Sequence, residues 1–359
     1  MKILNFCGLP SLATIVPDAE ACEHVVVVTK GTFAMSGHGP KRASQQVELC
    51  TCDVHWGDPE SSSVRYEHDF SLTKTRCDVV LNGHAHAPGG RPVTSSPVHL
   101  RFGSIDKTVM VTGDRVWAAR GFGVFSPSDP KPFVSIPLRW ERAFGGMSDD
   151  GKAYEARNPI GCGLVGIGPD GLVAGLPVPN LERLDGLLAS SASRPSPVGY
   201  GFVGRGWQPR LALAGTYDDL WKETRYPQLP VDFDLRYYQG APPDQQIDFP
   251  RGGERGVVIN ASPKGRFDFE IPRLELPVVV EHRGGETIGE SRLDTLVIEP
   301  DEDRIIATYR CTLRCTWKSV ETHRIRLGVP TPAFHKAVAQ SKVYVDWRST
   351  FPPEDSREE

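Results

Sequence analysis

Residues 215–246, GTYDDLWKETRYPQLPVDFDLRYYQGAPPDQQ, cannot fold as a long helix or as a central strand. Pro227, Pro230, Pro242 and Pro243 interrupt every run that would need continuous backbone N–H donors. The same stretch carries Trp221, Tyr217, Tyr226, Phe233, Tyr237 and Tyr238, far more aromatic surface than a disordered linker holds. It reads as an ordered irregular segment pinned by its own rings. Its opening reads as a short helix with Thr216 as N-cap, Asp218 and Asp219 in the first turn, and Pro227 as its end.

The chain as a whole has 36 glycines and 31 prolines without a G-x-y period, which excludes collagen. Turn residues at that density beside β-branched runs point to a loop-rich β protein. Residues 23–33 (EHVVVVTKGTF) form a strand apolar enough at its centre to be buried on both faces. Residues 46–56, 64–70 and 77–87 read as further strands. Residues 98–102 and 108–112 form a hairpin that 115–117 continues, and 133–144 is one more strand. From 145 to 206 periodicity almost vanishes, and Asn180, Tyr200, Phe202 and Trp207 are the expected pins of a segment that covers a sheet. Strands resume at 257–260, 266–271, 276–281, 295–299, 305–313 and 315–323. Pro300-Asp-Glu-Asp303 is a hairpin turn, and 331–343 is a late helix with Pro332 at its first position. The expected fold is mainly β, with antiparallel sheets in one sandwich or two packed β regions, a long Gly/Pro-rich middle and few short helices. The expected division is one large domain over 1–330, with β regions at 1–145 and 256–330 around an irregular 146–255. A C-terminal helix and acidic tail occupy 331–359.

A net charge of −4 without long blocks of one sign argues against nucleic acid or an anionic membrane as the main partner. The longest apolar run, 25–28, is too short to span a bilayer. Pro10 and Pro17 break the opening residues before a signal-like apolar core can form. Eight cysteines include Cys50-x-Cys52 and Cys311-x-x-x-Cys315, spacings too irregular for a zinc ribbon. On alternating strand positions they read as small core residues, and a reduced cytoplasmic setting fits them.

Chemistry has few footholds. His84 and His86 share one face of a strand and could reach one metal ion, with a third ligand from His55, His68 or Asp69. That gives a metal-dependent hydrolase as the alternative function; otherwise the pair is an edge or core feature. Glu141, Glu182, Asp218, Asp232, Asp234 and Asp244 supply carboxylates, yet their spacing singles out no glycosidase-like pair. No nucleophile elbow, phosphate-binding loop or H-E-x-x-H motif occurs. Arg139, Glu141 and Arg142 read as a recognition patch, or Glu141 and Arg142 as ties for the irregular middle. Trp221, Tyr217, Arg225, Tyr237 and Tyr238 are the candidate protein-binding cluster, because Trp, Tyr and Arg dominate binding hot spots. No catalytic, cofactor or metal residue is assigned.

An ordered series of blocks carries a resemblance. It runs through NGHAHAPGGRPV, GDRVW, WERAFGG, NPIGCG, VPNLE, GFVGRGWQPR, GTYDDLWKETRYPQLPVDFD, RYYQGAPPDQQ and LDTLVIEPDEDRI, within residues 5–327. Together they resemble a bacterial domain-of-unknown-function family of adaptor chaperones for type VI secretion, encoded beside spike and toxin effector genes. The resemblance implies a cytoplasmic protein without catalysis. It would bind a toxin effector, through the effector's N-terminal or PAAR-type region, and help load it on the VgrG spike, itself a transient partner. The family brings no catalytic residues and does not say which surface grips the client.

Overall fold

A computed structural model describes residues 2–37, 39–121, 124–147, 153–164, 173–282, 284–315, 324–342 and 344. The valine run forms the middle of the strand Glu23–Ser36, where Val25, Val26, Val27 and Val28 are all fully buried. Successive strand side chains point to opposite faces, so a run buried at every position needs cover on both. Glu23–Ser36 belongs to a seven-stranded sheet in the order Gln246–Ile247, Cys77–Leu81, Arg292–Glu299, Arg304–Arg314, Glu23–Ser36, Ser11–Pro17, with Gly39–Arg42 also paired to Glu23–Ser36. Its spine is the antiparallel register from Arg304↔Ala34 to Arg314↔His24. Cys77–Leu81 and Arg292–Glu299 pair in parallel.

One face of this sheet shares a core with a five-stranded sheet, ordered Leu181–Arg183, Ile105–Thr112, Ser95–Phe102, Arg255–Ile259, Arg266–Glu270. Val25, Val27, Val79, Leu81, Ile298 and Ile305 come from the first sheet, and Leu100, Phe102, Val109, Val258 and Phe269 from the second. A four-stranded sheet of Lys2–Asn5, Arg324–Leu327, Pro277–His282 and Gly285–Glu290 adds Val278, Val280, Ile325 and Leu327 to that core. The other face meets irregular chain. Val80, Val297 and Ile306 pack on Val64, Phe202 and Ala241, while Val26 and Val28 pack on Leu72 with Tyr238 beside it. The fold is mainly β, with several mostly antiparallel sheets and, among the described residues, two α-helices.

The four expected pins hold the middle. Tyr200 is fully buried, and its hydroxyl donates to the Val98 carbonyl at 2.7 Å. Phe202 is buried in the second core. The Asn180 side-chain amide donates to the Thr112 carbonyl at 2.9 Å, and the Thr112 N–H returns a bond to the Asn180 carbonyl. Trp207 meets the buried Trp140 edge-on at 6.0 Å. Gly199 admits this packing, since a Cβ there would stand 3.0 Å from the Trp140 indole.

Several expected strands are shorter or differently placed. In 46–56 only Val54–His55 pairs, with Val64–Tyr66, which is all that remains of 64–70. Side-chain bonds stand in for strand pairing: Gln46 brackets the Thr32 N–H and carbonyl, and the Asp69 carboxylate accepts from the Cys50 N–H. Cys50 and Cys52 are therefore not strand neighbours, although Cys311 is buried in its strand. Residues 77–87 split into Cys77–Leu81 and His84–His86, because the chain changes sheets at Asn82-Gly83. Residues 133–144 become the short strand Ser135–Pro137, a 3-10 turn at Trp140–Arg142 and Phe144–Gly145. Pro137 lacks a strand donor, and the turn seats Trp140 in the core. Arg115–Ala119 leaves the hairpin to pair with Phe125–Pro127 and Pro177–Val178. The hairpin turn at 300–303 forms as expected, with Asp303 in the left-handed region at φ 49°. The late helix spans Pro332–Ala339, and Thr331 caps it by accepting from the Phe334 N–H. Of the expected strand 315–323, Cys315 follows the end of Arg304–Arg314 and 316–323 lie outside the described residues, as does Val343.

Candidate functional site

The helix Asp219–Thr224 contains no buried residue. Six residues with no buried face do not hold a helix in water by themselves, so the surrounding bonds must hold it. Asp218, rather than Thr216, is the N-cap and accepts from the Trp221 N–H at 2.8 Å. Thr216 serves the loop closure instead, donating through its N–H and hydroxyl to Asp232 at 3.0 and 2.8 Å. The Trp221 indole N–H donates to the Gln228 carbonyl at 2.8 Å, and its ring meets Tyr217 and Tyr226 edge-on at 4.7 and 5.6 Å. The helix stops at Thr224, with Arg225 as its C-cap, before Pro227 is reached. Gly215, at φ +81°, closes the base, where a Cβ would fall 2.8 Å from Pro230. The result is a short finger with a fixed shape.

Its outer surface sets large apolar side chains between charged ones. Leu220, Tyr226 and Val231 are 66%, 70% and 80% exposed, and Tyr217 is half exposed. Of the five residues singled out in the sequence, Tyr217 and Trp221 lie on this finger. Arg225 is an anchor, donating from Nε to the Leu229 carbonyl at 3.0 Å and from Nη2 to the Ala19 carbonyl. Tyr237 and Tyr238 pack inward with Phe233, and Tyr238 lies against the cluster around Val26, Val28 and Leu72. The structure thus divides the five into two surface rings, one anchor and two inner rings. Leu220 and Val231 belong to no apolar period, so the sequence pattern does not single them out. The available signal was their isolation among acids and prolines.

Below the finger lies a buried ionic network. Arg210 pairs with Glu67 at 2.5 Å, Lys74 with Asp78 at 2.5 Å, and Lys74 approaches Glu67 at 3.8 Å. Asp78 also accepts from the Gln239 side chain at 2.9 Å and the Gly240 N–H at 2.7 Å. Gly240 is required there, since a Cβ would meet Glu67 Oε2 at 2.6 Å. Burial pushes the Glu67 carboxyl upward, but Arg210, Lys74 and Arg205 outweigh it and hold Glu67 below the ordinary range. Residues 210 and 239–240 flank the finger, so the network fixes its base to the strand Cys77–Leu81.

The two strand histidines find a different carboxylate from those expected. His84 Nδ1 lies 2.8 Å from Asp301 Oδ2, and His86 Nε2 lies 2.6 Å from Asp301 Oδ1. Each ring nitrogen has its own oxygen, so the three side chains clamp the 300–303 turn to the strand His84–His86. Asp69 is engaged by Lys30 at 2.5 Å, and among the described residues no group of three or more His, Cys, Asp or Glu is placed to hold a metal. The six candidate carboxylates each have a local partner. Glu141 accepts from Ser63, Glu182 from Arg115 and Asp244 from Lys107. Asp218 caps the helix, Asp232 holds Thr216, and Asp234 accepts from Arg236. Arg142 ties the middle down through Asn180 and Asp114 at 3.1 and 3.0 Å, while Glu141 reaches back to Ser63. Arg139 lies over the Trp56 ring at 4.1 Å. Burial raises the Cys162 and Cys311 thiols to about 12 and about 11, which suppresses the reactive thiolate.

Among the described residues no helix is long and apolar enough to cross a membrane. No curated protein and no solved structure matches the chain. A family model does match, over residues 20–310. The chain therefore belongs to the bacterial family described as "uncharacterized protein conserved in bacteria (DUF2169)".

Proposed function

We propose that this protein is a non-enzymatic adaptor of type VI secretion that binds a toxin effector in the cytoplasm and helps load it on the VgrG spike. The observation that carries this reading is the pre-ordered finger around Trp221 with its exposed apolar side chains. A partner covering Tyr217, Leu220, Trp221 and Tyr226 removes apolar surface from water without first ordering the loop, whose bonds already fix it. On the same helix Asp218, Asp219 and Glu223 outnumber Lys222, so the complementary client surface is apolar at its centre and basic at its rim. The client would dock through its N-terminal or PAAR-type region, as the family resemblance implies. Masking that region until the spike displaces the adaptor is a binding task with no reaction step.

The test uses the toxin-domain or PAAR-bearing protein encoded beside this one, mixed with the purified full chain and followed by size exclusion and calorimetry. A stable complex is expected. The double variant Leu220→Asp/Tyr226→Asp should weaken it by about tenfold or more while leaving thermal unfolding unchanged, because neither side chain is buried. Undiminished affinity in that variant rules out the finger as the docking surface. Absence of a complex with every such neighbour rules out the adaptor reading itself.

A further inference from the structure

A cavity of about 310 Å³ opens where the strand Arg304–Arg314 passes the edge strand Gly285–Glu290, walled also by residues 73–74 and Phe249. The two strands touch closely, since a Cβ at Gly289 would come 2.7 Å from Cys311 Sγ. We infer that this cavity is a binding site for a monoanionic carboxylate carrying an apolar body.

The first support is Arg310, which is 6% exposed and lines the cavity. Its Nε donates to Asp294, and its Nη1 donates to the carbonyls of Asp69 and Ser71 at 2.7 and 3.0 Å. Its Nη2 has no hydrogen-bond partner among the described residues, yet it is not sealed from open space. A guanidinium fixed on two sides and open on the third is a ready donor to an anion. The second support is Arg292, which also lines the cavity and whose side chain has neither an ion pair nor a hydrogen bond among the described residues. Its guanidinium lies 5.8 Å from the Phe249 ring centre, over the aromatic wall.

Charge argues against a ligand of more than one negative unit. Lys74 in the same wall is matched by Asp78 and Arg310 by Asp294, and Glu290 on the rim opposes Arg292, so the wall has no surplus of positive charge to hold a dianion. A dianionic phosphate would overcharge that balance, whereas one carboxylate matches the unengaged N–H groups. Phe249 and Leu313 supply the apolar wall for the rest of the ligand. The carboxylate can belong to a free small acid or to a peptide C-terminus, and the inference does not depend on the finger's role.

Calorimetric titration of the full chain separates these outcomes. The probes are phenylacetate, inorganic phosphate, and two hexapeptides ending in phenylalanine, one with a free C-terminus and one amidated. Saturable binding of phenylacetate or of the free-acid peptide is expected, with loss on amidation. Arg292→Gln should weaken it by about tenfold, and this exposed residue can be changed without disturbing the buried pairs around Arg310. A free-acid peptide much tighter than phenylacetate identifies a chain terminus as the source, and equal binding identifies a small acid. Binding of phosphate in preference to every carboxylate, no binding of any probe, or Arg292→Gln binding like the wild type would overturn the assignment.

Discussion

Two buried lysines show how partner exposure sets ionisation at the scale of single residues. Burial drives both ammonium groups toward the neutral form. Lys74 overcomes it because Asp78 and Glu67 are themselves buried, and its pKa ends above the ordinary value. Lys107 donates to the Gly199 carbonyl, Gln245 Oε1 and Asp244 Oδ1, but only Asp244 is charged and it is 55% exposed. Water screens that partner, so burial prevails and Lys107 is pushed down to about 8. The sign of the linkage follows. Below about pH 8 both folded and unfolded chains carry the proton, and the folded one bears the buried charge. Between 8 and the ordinary lysine range the folded chain sheds it while the unfolded chain keeps it, so this group's contribution to stability rises with pH. Buried thiols such as Cys162 and Cys311 act oppositely in the same window, because the unfolded chain ionises them first. The informative quantity is therefore wild-type stability minus that of Lys107→Met, measured by urea unfolding from pH 7.5 to 9.5. It should increase across that window, and the Lys107 Cε resonance should titrate near 8. Titration together with the surface lysines would show that Asp244 holds the charge after all.

At the scale of elements, the finger is an ordered segment whose order is local. Its helix buries nothing, so its cap and its indole bond are its main supports. Asp218→Ala should cost the helix about 1 kcal/mol, read as faster amide exchange over 219–228 with the global unfolding midpoint nearly unchanged. A matching fall in the global midpoint would mean that the finger is part of the cooperative core. Much of this element was legible beforehand: the aromatic pins, the short helix and the breaking prolines are all features of the sequence. The sequence reading of Thr216 as the cap is two residues early: both Thr216 and Asp218 are capping types, and the Asp232 contact engages Thr216 elsewhere. Residues 46–56 failed for a related reason. Their alternation fits a strand, but Gln46 and Asp69 satisfy the backbone that a neighbouring strand would otherwise take. The histidine pair was located correctly on a strand, and its partner was not, because Asp301 arrives from more than two hundred residues away.

On the scale of the whole molecule, the valine run demanded cover on both faces of its sheet, and both covers exist. One is a second sheet, readable from its own alternating strands. The other is irregular chain, and no period in 64–72 or 202–241 reveals which face it will meet. Tyr200 decides how tightly that cover is coupled to the rest. Its hydroxyl reaches the Val98 carbonyl of the five-stranded sheet at 2.7 Å, and its own carbonyl accepts the Leu81 N–H of the seven-stranded sheet at 3.2 Å. The side chain of Gln245 joins the same carbonyl at 3.0 Å. A residue bonded to both sheets and to the cover should make them unfold together. Tyr200→Phe removes the buried hydroxyl, which donates to the Val98 carbonyl at 2.7 Å and lies 3.3 Å from the Lys107 carbonyl, and should cost about 1 kcal/mol. Tyr200→Ala also empties a fully buried ring site and should cost about 3–5 kcal/mol, with urea unfolding still a single transition by fluorescence and circular dichroism. Two separated transitions in Tyr200→Ala, with residues 200–245 losing amide protection first and the sheets keeping theirs, would show instead that the cover is a separable layer. In that case the finger it carries moves without disturbing the sheets beneath.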